Sequence, residues 1–181
     1  MKPNWWNKGK THLYKRDKVM RKLLIAYKGH LTTRNNFFYS LTRSIISQQI
    51  SVSAADSVFS KFEKKCKGKI NPKIVSRLTI IDLRRCGLSR MKALGIKSLA
   101  DKILDKSFNP KLIKKMSDED AINYLSSLRQ IGRWSSEMVL IFFYNRPNIW
   151  PVQDIGLLRA ISNNYKKRYL PPKSFVNKLQ K

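Results

Sequence analysis

Apolar residues recur along this chain at three- and four-residue spacing and almost nowhere in strict alternation. Val19, Leu23, Leu24 and Tyr27 mark one face of a helix over 17–27, closed by Gly29. Phe37, Phe38, Leu41 and Ile45 mark a second helix over 34–47, with Thr32 or Thr33 as its cap. The polar turn 47–51 interrupts the pattern. Ser53-x-x-Asp56 has the form of a capping box and opens a helix to about residue 67, with Ala54, Val58, Phe59 and Phe62 on its apolar face. Short helical pieces follow the loop 68–72, with a break at Cys86-Gly87. A longer, Lys-rich helix spans 89–104, and Asn109-Pro110 breaks the chain again. Ser117-x-x-Asp120 opens a helix over 118–127. A turn over 128–132 leads into a helix over 133–144. The Pro-bounded loop 146–152 precedes Asp154, which heads a helix over 155–165, and Pro171-Pro172 opens a last short one. Residues 1–16 read as an irregular basic arm carrying Trp5 and Trp6. The expectation is an all-α chain of nine or ten helices.

Charge adds the first functional information. Lys and Arg total 38 against 11 Asp and Glu, a formal net charge of +27. Part of that excess reflects a Lys- and Asn-rich composition, but self-repulsion of this size favours a polyanionic partner. Nucleic acid comes first, since phosphates can be neutralised with counterion release, and an anionic membrane surface second. The membrane reading finds only Trp5-Trp6 in its favour. The two cysteines, Cys66 and Cys86, form no CxxC pair, so thiolates of this chain cannot build a zinc site or a four-Cys iron–sulfur cluster. No apolar run follows the charged start, and the longest, 138–144, is too short to span a bilayer. These features lead to the expectation of a cytoplasmic protein in a reducing compartment.

Two segments carry candidate chemistry. Residues 125–140, LSSLRQIGRWSSEMVL, read as helix, tight turn and helix, with Gly132 before the second helix. The N–H groups at that helix start, together with the positive end of its dipole, suit a phosphate. Arg133 would add charge. An ordinary Gly-turned helical hairpin has the same pattern. Residues 148–159, NIWPVQDIGLLR, set Asp154 at a helix start behind a Pro-stiffened loop. Asp is a favoured N-cap, so alone it says little.

The two segments lie about twenty residues apart and are preceded by FFYSLTRSIISQQISVSAA over 37–55. As a set they resemble the helix-hairpin-helix (HhH-GPD) DNA glycosylase superfamily, specifically its 3-methyladenine DNA glycosylase II branch, over roughly residues 17–165. The resemblance implies one domain over 1–181, built of two helical lobes with a DNA cleft between them. Residues 1–16 would be the arm, 34–125 the central lobe, 126–144 the hairpin, and 17–33 with 145–181 the second lobe.

It also implies roles. Asp154 matches the essential aspartate. The hairpin, through Gly132, Arg133, Trp134 and Ser135, matches the grip on a phosphate 3′ to the lesion. A bound Na+ or K+ ion would be held by the carbonyls of Ser126, Leu128 and Ile131, with no other cofactor required. Gln48 and Gln49 match the turn that fills the gap left by a flipped base, although a polar capped turn reads the same way. Trp134 stands where the bifunctional branch has its lysine nucleophile, which implies hydrolysis without a lyase step. It would be an aromatic wall for an electron-poor base, or else a core tryptophan. The implied partner is double-stranded DNA with damaged, alkylated bases, bound by a monomer.

Three departures from the family pattern stand out. Gln130 occupies a position where the hairpin usually has Gly, and a side chain there strains a positive φ. The N-terminal β-domain of some relatives is missing. The chain ends about 27 residues after Asp154, where relatives usually continue into a further helix, so a shortened member with a less covered pocket is expected. A non-catalytic DNA-binding helix-hairpin-helix protein, and a glycosylase for uracil, oxidised or mismatched bases, remain the alternatives.

Overall fold

The computed structural model describes residues 2–32 and 34–180. Every regular element among them is helical, so the all-α expectation holds. The chain divides into two compact units, Met1–Thr33 with Leu140–Lys181, and Arg34–Val139.

The first unit contains a helix the sequence pattern does not announce. α1 spans Trp6–Arg16, within the stretch expected to be irregular. Its residues have mediocre helix propensity, so anchoring decides the matter. The Trp5 indole Nε1 donates to the Asn145 carbonyl at 2.7 Å. The Trp5 ring also lies where a Cβ on Gly9 would meet it at 3.5 Å, an ordinary contact. α2 spans Lys18–Ala26. Asp17 caps it, one carboxylate oxygen accepting from the N–H groups of Val19 and Met20 at 2.7 and 2.8 Å. The other oxygen accepts from the Tyr165 hydroxyl at 2.7 Å. Burial pushes the Asp17 carboxyl up, but hydrogen bonds from Met20, Tyr165 and Val19 outweigh it and hold the group below the usual carboxylate range. α10 (Ile155–Asn164) and α11 (Lys173–Lys178) complete this unit. Tyr165 meets Phe175 edge-on with ring centroids 5.8 Å apart.

The second unit packs around α7 (Arg90–Leu104), which contacts α3 (Phe37–Ser47), α5 (Pro72–Val75) and α6 (Ile80–Arg85). Leu41, Ile45, Ile46, Phe62, Leu83, Ile96, Ile113 and Leu125 are wholly buried in it. Removing each from water stabilises by about 1.5–3 kcal/mol. Two helix starts differ from the sequence expectation. α3 begins three residues late because Asn36, not Thr32, provides the cap, accepting from the Tyr39 N–H at 2.9 Å; Thr33 lies outside the described residues. α4 spans Val52–Lys65 and is capped by Ser51, which accepts from the Ala54 N–H at 3.2 Å. The box expected from Ser53 and Asp56 does not form, since Ser53 bonds to the Ser51 hydroxyl and Asp56 pairs with Arg43 at 2.6 Å. A complete capping box occurs instead at Thr79 and Asp82, ahead of α6.

The Cys86-Gly87 break holds, with Gly87 at φ +97°, a conformation a side chain resists. Cys66 and Cys86 are buried free thiols, and burial pushes Cys66 up to about 11. Neither is primed as a nucleophile. A 3-10 helix over Pro110–Lys115 leads to α8 (Asp118–Ser126), and the turn after it leads to α9 (Arg133–Phe142).

Candidate nucleic-acid interface and active site

The helix–turn–helix expected at 126–136 is present as α8, a turn and α9. Hydroxyls tie its two arms together: Ser126 and Ser136 lie 3.1 Å apart, and the Ser136 hydroxyl donates to the Gly132 carbonyl at 3.0 Å. The Ser136 N–H makes the first backbone bond of α9, to Gly132. The N–H groups ahead of it belong to the helix start that an α-helix does not itself satisfy. Within the turn, the Leu128 carbonyl accepts from the Ile131 N–H at 3.1 Å, and its second lone pair would suit a hard monovalent cation.

Two residues of the turn stand out. Gln130 adopts φ +67°, so the strain inferred from its side chain is realised, a cost of order 1–2 kcal/mol. Gly132 does not have a positive φ, and a Cβ built on it would meet nothing within 4 Å. Packing and backbone conformation therefore do not require glycine there. What a bare Cα does provide is close access of an incoming group to the helix start.

The strained turn is braced from behind. Gly95 sits mid-helix in α7, where a Cβ would lie 2.8 Å from Gln130 Cγ and 3.2 Å from the Arg129 carbonyl oxygen. The Gln48 side-chain amide donates to the Gln130 carbonyl at 2.8 Å and to the Ser135 hydroxyl at 3.1 Å. Lys92 Nζ in turn donates to the carbonyls of Gln48 at 2.6 Å and Ile46 at 2.9 Å. Burial lowers the Lys92 pKa because desolvation penalises its charged form. A chain of contacts thus runs from α7 through the turn after α3 into the hairpin.

Beside this chain of contacts lies an open recess of about 500 Å³, lined by Gln48, Gln49, Ser89, Met91, Lys92, Gln130, Trp134 and Ser135. The structure so brings together Gln48, Gln49, Trp134 and Ser135 from the sequence reading. Trp134 is 38% exposed, and so is not a core residue. Gln49 is exposed at φ +55°, whereas the Gln48 amide is turned toward the hairpin. Arg133 is positioned otherwise than as a bare charge. Its guanidinium forms a bidentate pair with Glu119 at 2.6 and 2.9 Å and reaches Glu137 at 3.2 Å. The Arg133 hydrogen bond holds the Glu119 carboxyl below its usual range.

Asp154 belongs to the other unit. It follows a tight turn in which its N–H donates to the Pro151 carbonyl at 2.9 Å. It caps α10, with Oδ1 accepting from the Leu157 N–H at 2.6 Å. A Cβ on Gly156 would come within 3.1 Å of that oxygen, so glycine there leaves the carboxylate uncrowded. The cap and the candidate catalytic role coincide in one residue: the hydrogen bond to the start of α10 fixes the orientation of the carboxylate.

Sequence reasoning missed Lys92, Gly95, Glu119 and Gly156. Gly95 and Gly156 carried a signal, as isolated glycines inside helical patterns.

An all-α fold with a hairpin of this form and a capping aspartate twenty residues beyond it defines a class, and the comparison with known families agrees. Residues 42–179 match the model of the HhH-GPD superfamily base excision DNA repair proteins, and the chain belongs to that family. It is 28% identical over 144 residues to DNA-3-methyladenine glycosylase 1 of Schizosaccharomyces pombe, covering 78% of this chain and 63% of the relative. It is 30% identical over 148 residues to an alkylbase DNA glycosidase-like protein of the same yeast, covering 80% and 70%. Among solved structures, the Schizosaccharomyces pombe 3-methyladenine DNA glycosylase in complex with abasic DNA superimposes with a TM-score of 0.79 at 27% identity, covering 94% of this chain and 86% of that one. No helix among the described residues is long and apolar enough to cross a membrane.

Proposed function

We propose that this chain is a monofunctional DNA glycosylase that hydrolyses the N-glycosidic bond of alkylated bases in duplex DNA. The observation that carries the reading is the Asp154 carboxylate, fixed at the start of α10 by the Leu157 N–H at 2.6 Å. A base inside a duplex must be flipped out to be reached, at a cost of a few kcal/mol. Cleaving its glycosidic bond builds oxocarbenium character on the sugar. A preoriented carboxylate stabilises that cation and can take a proton from the attacking water. An alkylated purine already carries positive charge and leaves with little acid assistance, so one carboxylate suffices.

Hydrolysis rather than lyase chemistry follows from position 134, where an indole replaces an amine and no Schiff base can form. The nearest lysine in the same recess, Lys92, is engaged by two carbonyls and is a donor there, not a nucleophile. Trp134 offers its face to an electron-poor base. The N–H groups at the start of α9 take a backbone phosphate, and the carbonyls of Ser126, Leu128 and Ile131 are the proposed Na+ or K+ ligands. The relatives' 3-methyladenine substrate supports the choice of lesion.

The test is release of 3-methyladenine and 7-methylguanine from methylated duplex by wild type and Asp154→Asn. Asn caps a helix as well as Asp, so the variant should fold and bind DNA while excision falls at least ~100-fold, the order expected for losing transition-state charge stabilisation. Equal background release by both proteins, with DNA binding intact, would replace the enzyme by a DNA-binding protein.

A further inference from the structure

Residues 2–32 precede the family-matched segment 42–179. They carry nine Lys or Arg and one acid, Asp17. Folding uses that acid internally, to cap α2 and hold Tyr165. The cations are sorted onto exposed faces. On α2, Val19, Met20, Leu23 and Leu24 are half-buried, while Lys18, Arg21 and Lys22 are exposed opposite them. On α1, Lys8, Thr11, His12 and Lys15 follow the i, i+3, i+4, i+7 spacing of one exposed helical face.

The two helices present these charges from a fixed frame. Arg21 Nε donates to the Tyr14 carbonyl at 2.9 Å, and its guanidinium lies 5.0 Å from the Tyr14 ring centroid. Trp5 ties α1 to Asn145, and Asp17 ties α2 to Tyr165. By contrast, the ion pairs of Arg43, Lys65 and Arg133 all lie within residues 34–139. A folded, anchored cationic surface whose own acid is committed inward has its repulsion relieved by an external polyanion.

We propose that α1 and α2 form a further DNA-backbone contact surface, additional to the hairpin and engaging phosphates through Lys8, Lys15, Lys18 and Lys22. This rests on the reading of the chain as a DNA-binding protein. Such contacts carry no base information; they add affinity and steepen its salt dependence.

The experiment compares wild type with Lys8→Gln/Lys15→Gln/Lys18→Gln/Lys22→Gln, and with Lys73→Gln/Lys111→Gln/Lys114→Gln/Lys115→Gln as a charge-matched control on exposed residues of the other unit. Affinity for an undamaged duplex is measured across salt concentrations, with circular dichroism to confirm folding. Each phosphate contact contributes about 0.9 to the slope of log affinity against log salt, so the first variant should lose about 2–4 in slope and at least ~10-fold in affinity at low salt. The control should change slope by less than about 1. Equal losses in both variants would reduce the effect to net charge and overturn the proposal, as would an unchanged slope in the first. A first variant that keeps its DNA slope but loses binding to phosphatidylserine vesicles would assign the surface to lipid and also overturn it. Wild type that binds no DNA at all would instead remove the reading on which the proposal rests.

Discussion

Replacing Gly95 by Ala separates two effects of known size. In a helix interior, Ala is favoured over Gly by about 1 kcal/mol. At Gly95 the added methyl would lie 2.8 Å from Gln130 Cγ, 3.0 Å from Gln130 Cβ and 3.2 Å from the Arg129 carbonyl oxygen, where carbon contacts are optimal near ~3.5–4.0 Å. Two of these atoms belong to the backbone or its first side-chain carbon, so they cannot swing away. Overpacking of this kind costs about 1–3 kcal/mol, which leaves a net loss of about 1 kcal/mol and a Tm lower by about 2–4 °C for a chain of this size. Gly9→Ala is the reference, because its methyl meets only the Trp5 ring at 3.5 Å and the propensity gain should appear in full as a higher Tm. Gln130→Gly should suppress the Gly95→Ala loss, since it removes the opposing carbons and suits φ +67°. The double-mutant cycle should show coupling of about 1 kcal/mol or more. Duplex affinity should fall in Gly95→Ala as the turn shifts off the Gln48 amide, and recover in the double variant. A Gly95→Ala protein that melts above wild type, or a cycle with no coupling, would refute the bracing of the turn by α7.

Two other perturbations test neighbouring parts of the argument. Lys92→Met strips the carbonyls of Ile46 and Gln48 of their donor and should cost about 1–3 kcal/mol in denaturant unfolding. It should also weaken DNA binding, whereas Lys97→Met, which removes a comparable bond to the Ser76 carbonyl at 2.6 Å, should cost stability alone; equal DNA affinity in both variants would separate Lys92 from the interface. Tyr165→Phe should lose about 1 kcal/mol at neutral pH. The Asp17 carboxyl titrates lower in the folded chain than in the unfolded one, so its contribution is complete above pH ~4 and disappears as pH falls through its folded value. The variant should accordingly show a shallower loss of stability on acidification, and an unchanged acid limb would contradict the Asp17–Tyr165 linkage.

Much of the fold was legible because it is written locally. Ser89, Ser117 and Asp154 each precede a helix by one residue and accept from its third N–H, and a cap of this kind needs no distant partner. The hairpin was legible for the same reason. The misplaced starts were contests among nearby side chains: Ser51 took the cap that Ser53 resembled, because Arg43 on another helix claimed Asp56. α1 was illegible because its order comes from Trp5 reaching a carbonyl 140 residues away. The candidate site followed the same division. Gln48, Trp134 and Asp154 could be named from sequence, but the partners that set their geometry could not. Lys92 acts 44 and 46 residues from its acceptors, and the pairing of Arg133 with Glu119 depends on how α8 and α9 fold back on each other.

Gly132 and Asp154 differ in how long they would outlast a loss of activity. Asp154 serves the fold as a helix cap, so selection for stability alone would keep a capping side chain there, Asp, Asn or Ser, in a descendant that had abandoned catalysis. Gly132 serves no packing or conformational need of the folded chain, and in such a lineage Ala or Ser would be the better residue. Drift at position 132, with a capping residue still at position 154, would therefore mark a lineage in which the proposed phosphate grip at the start of α9 had been given up.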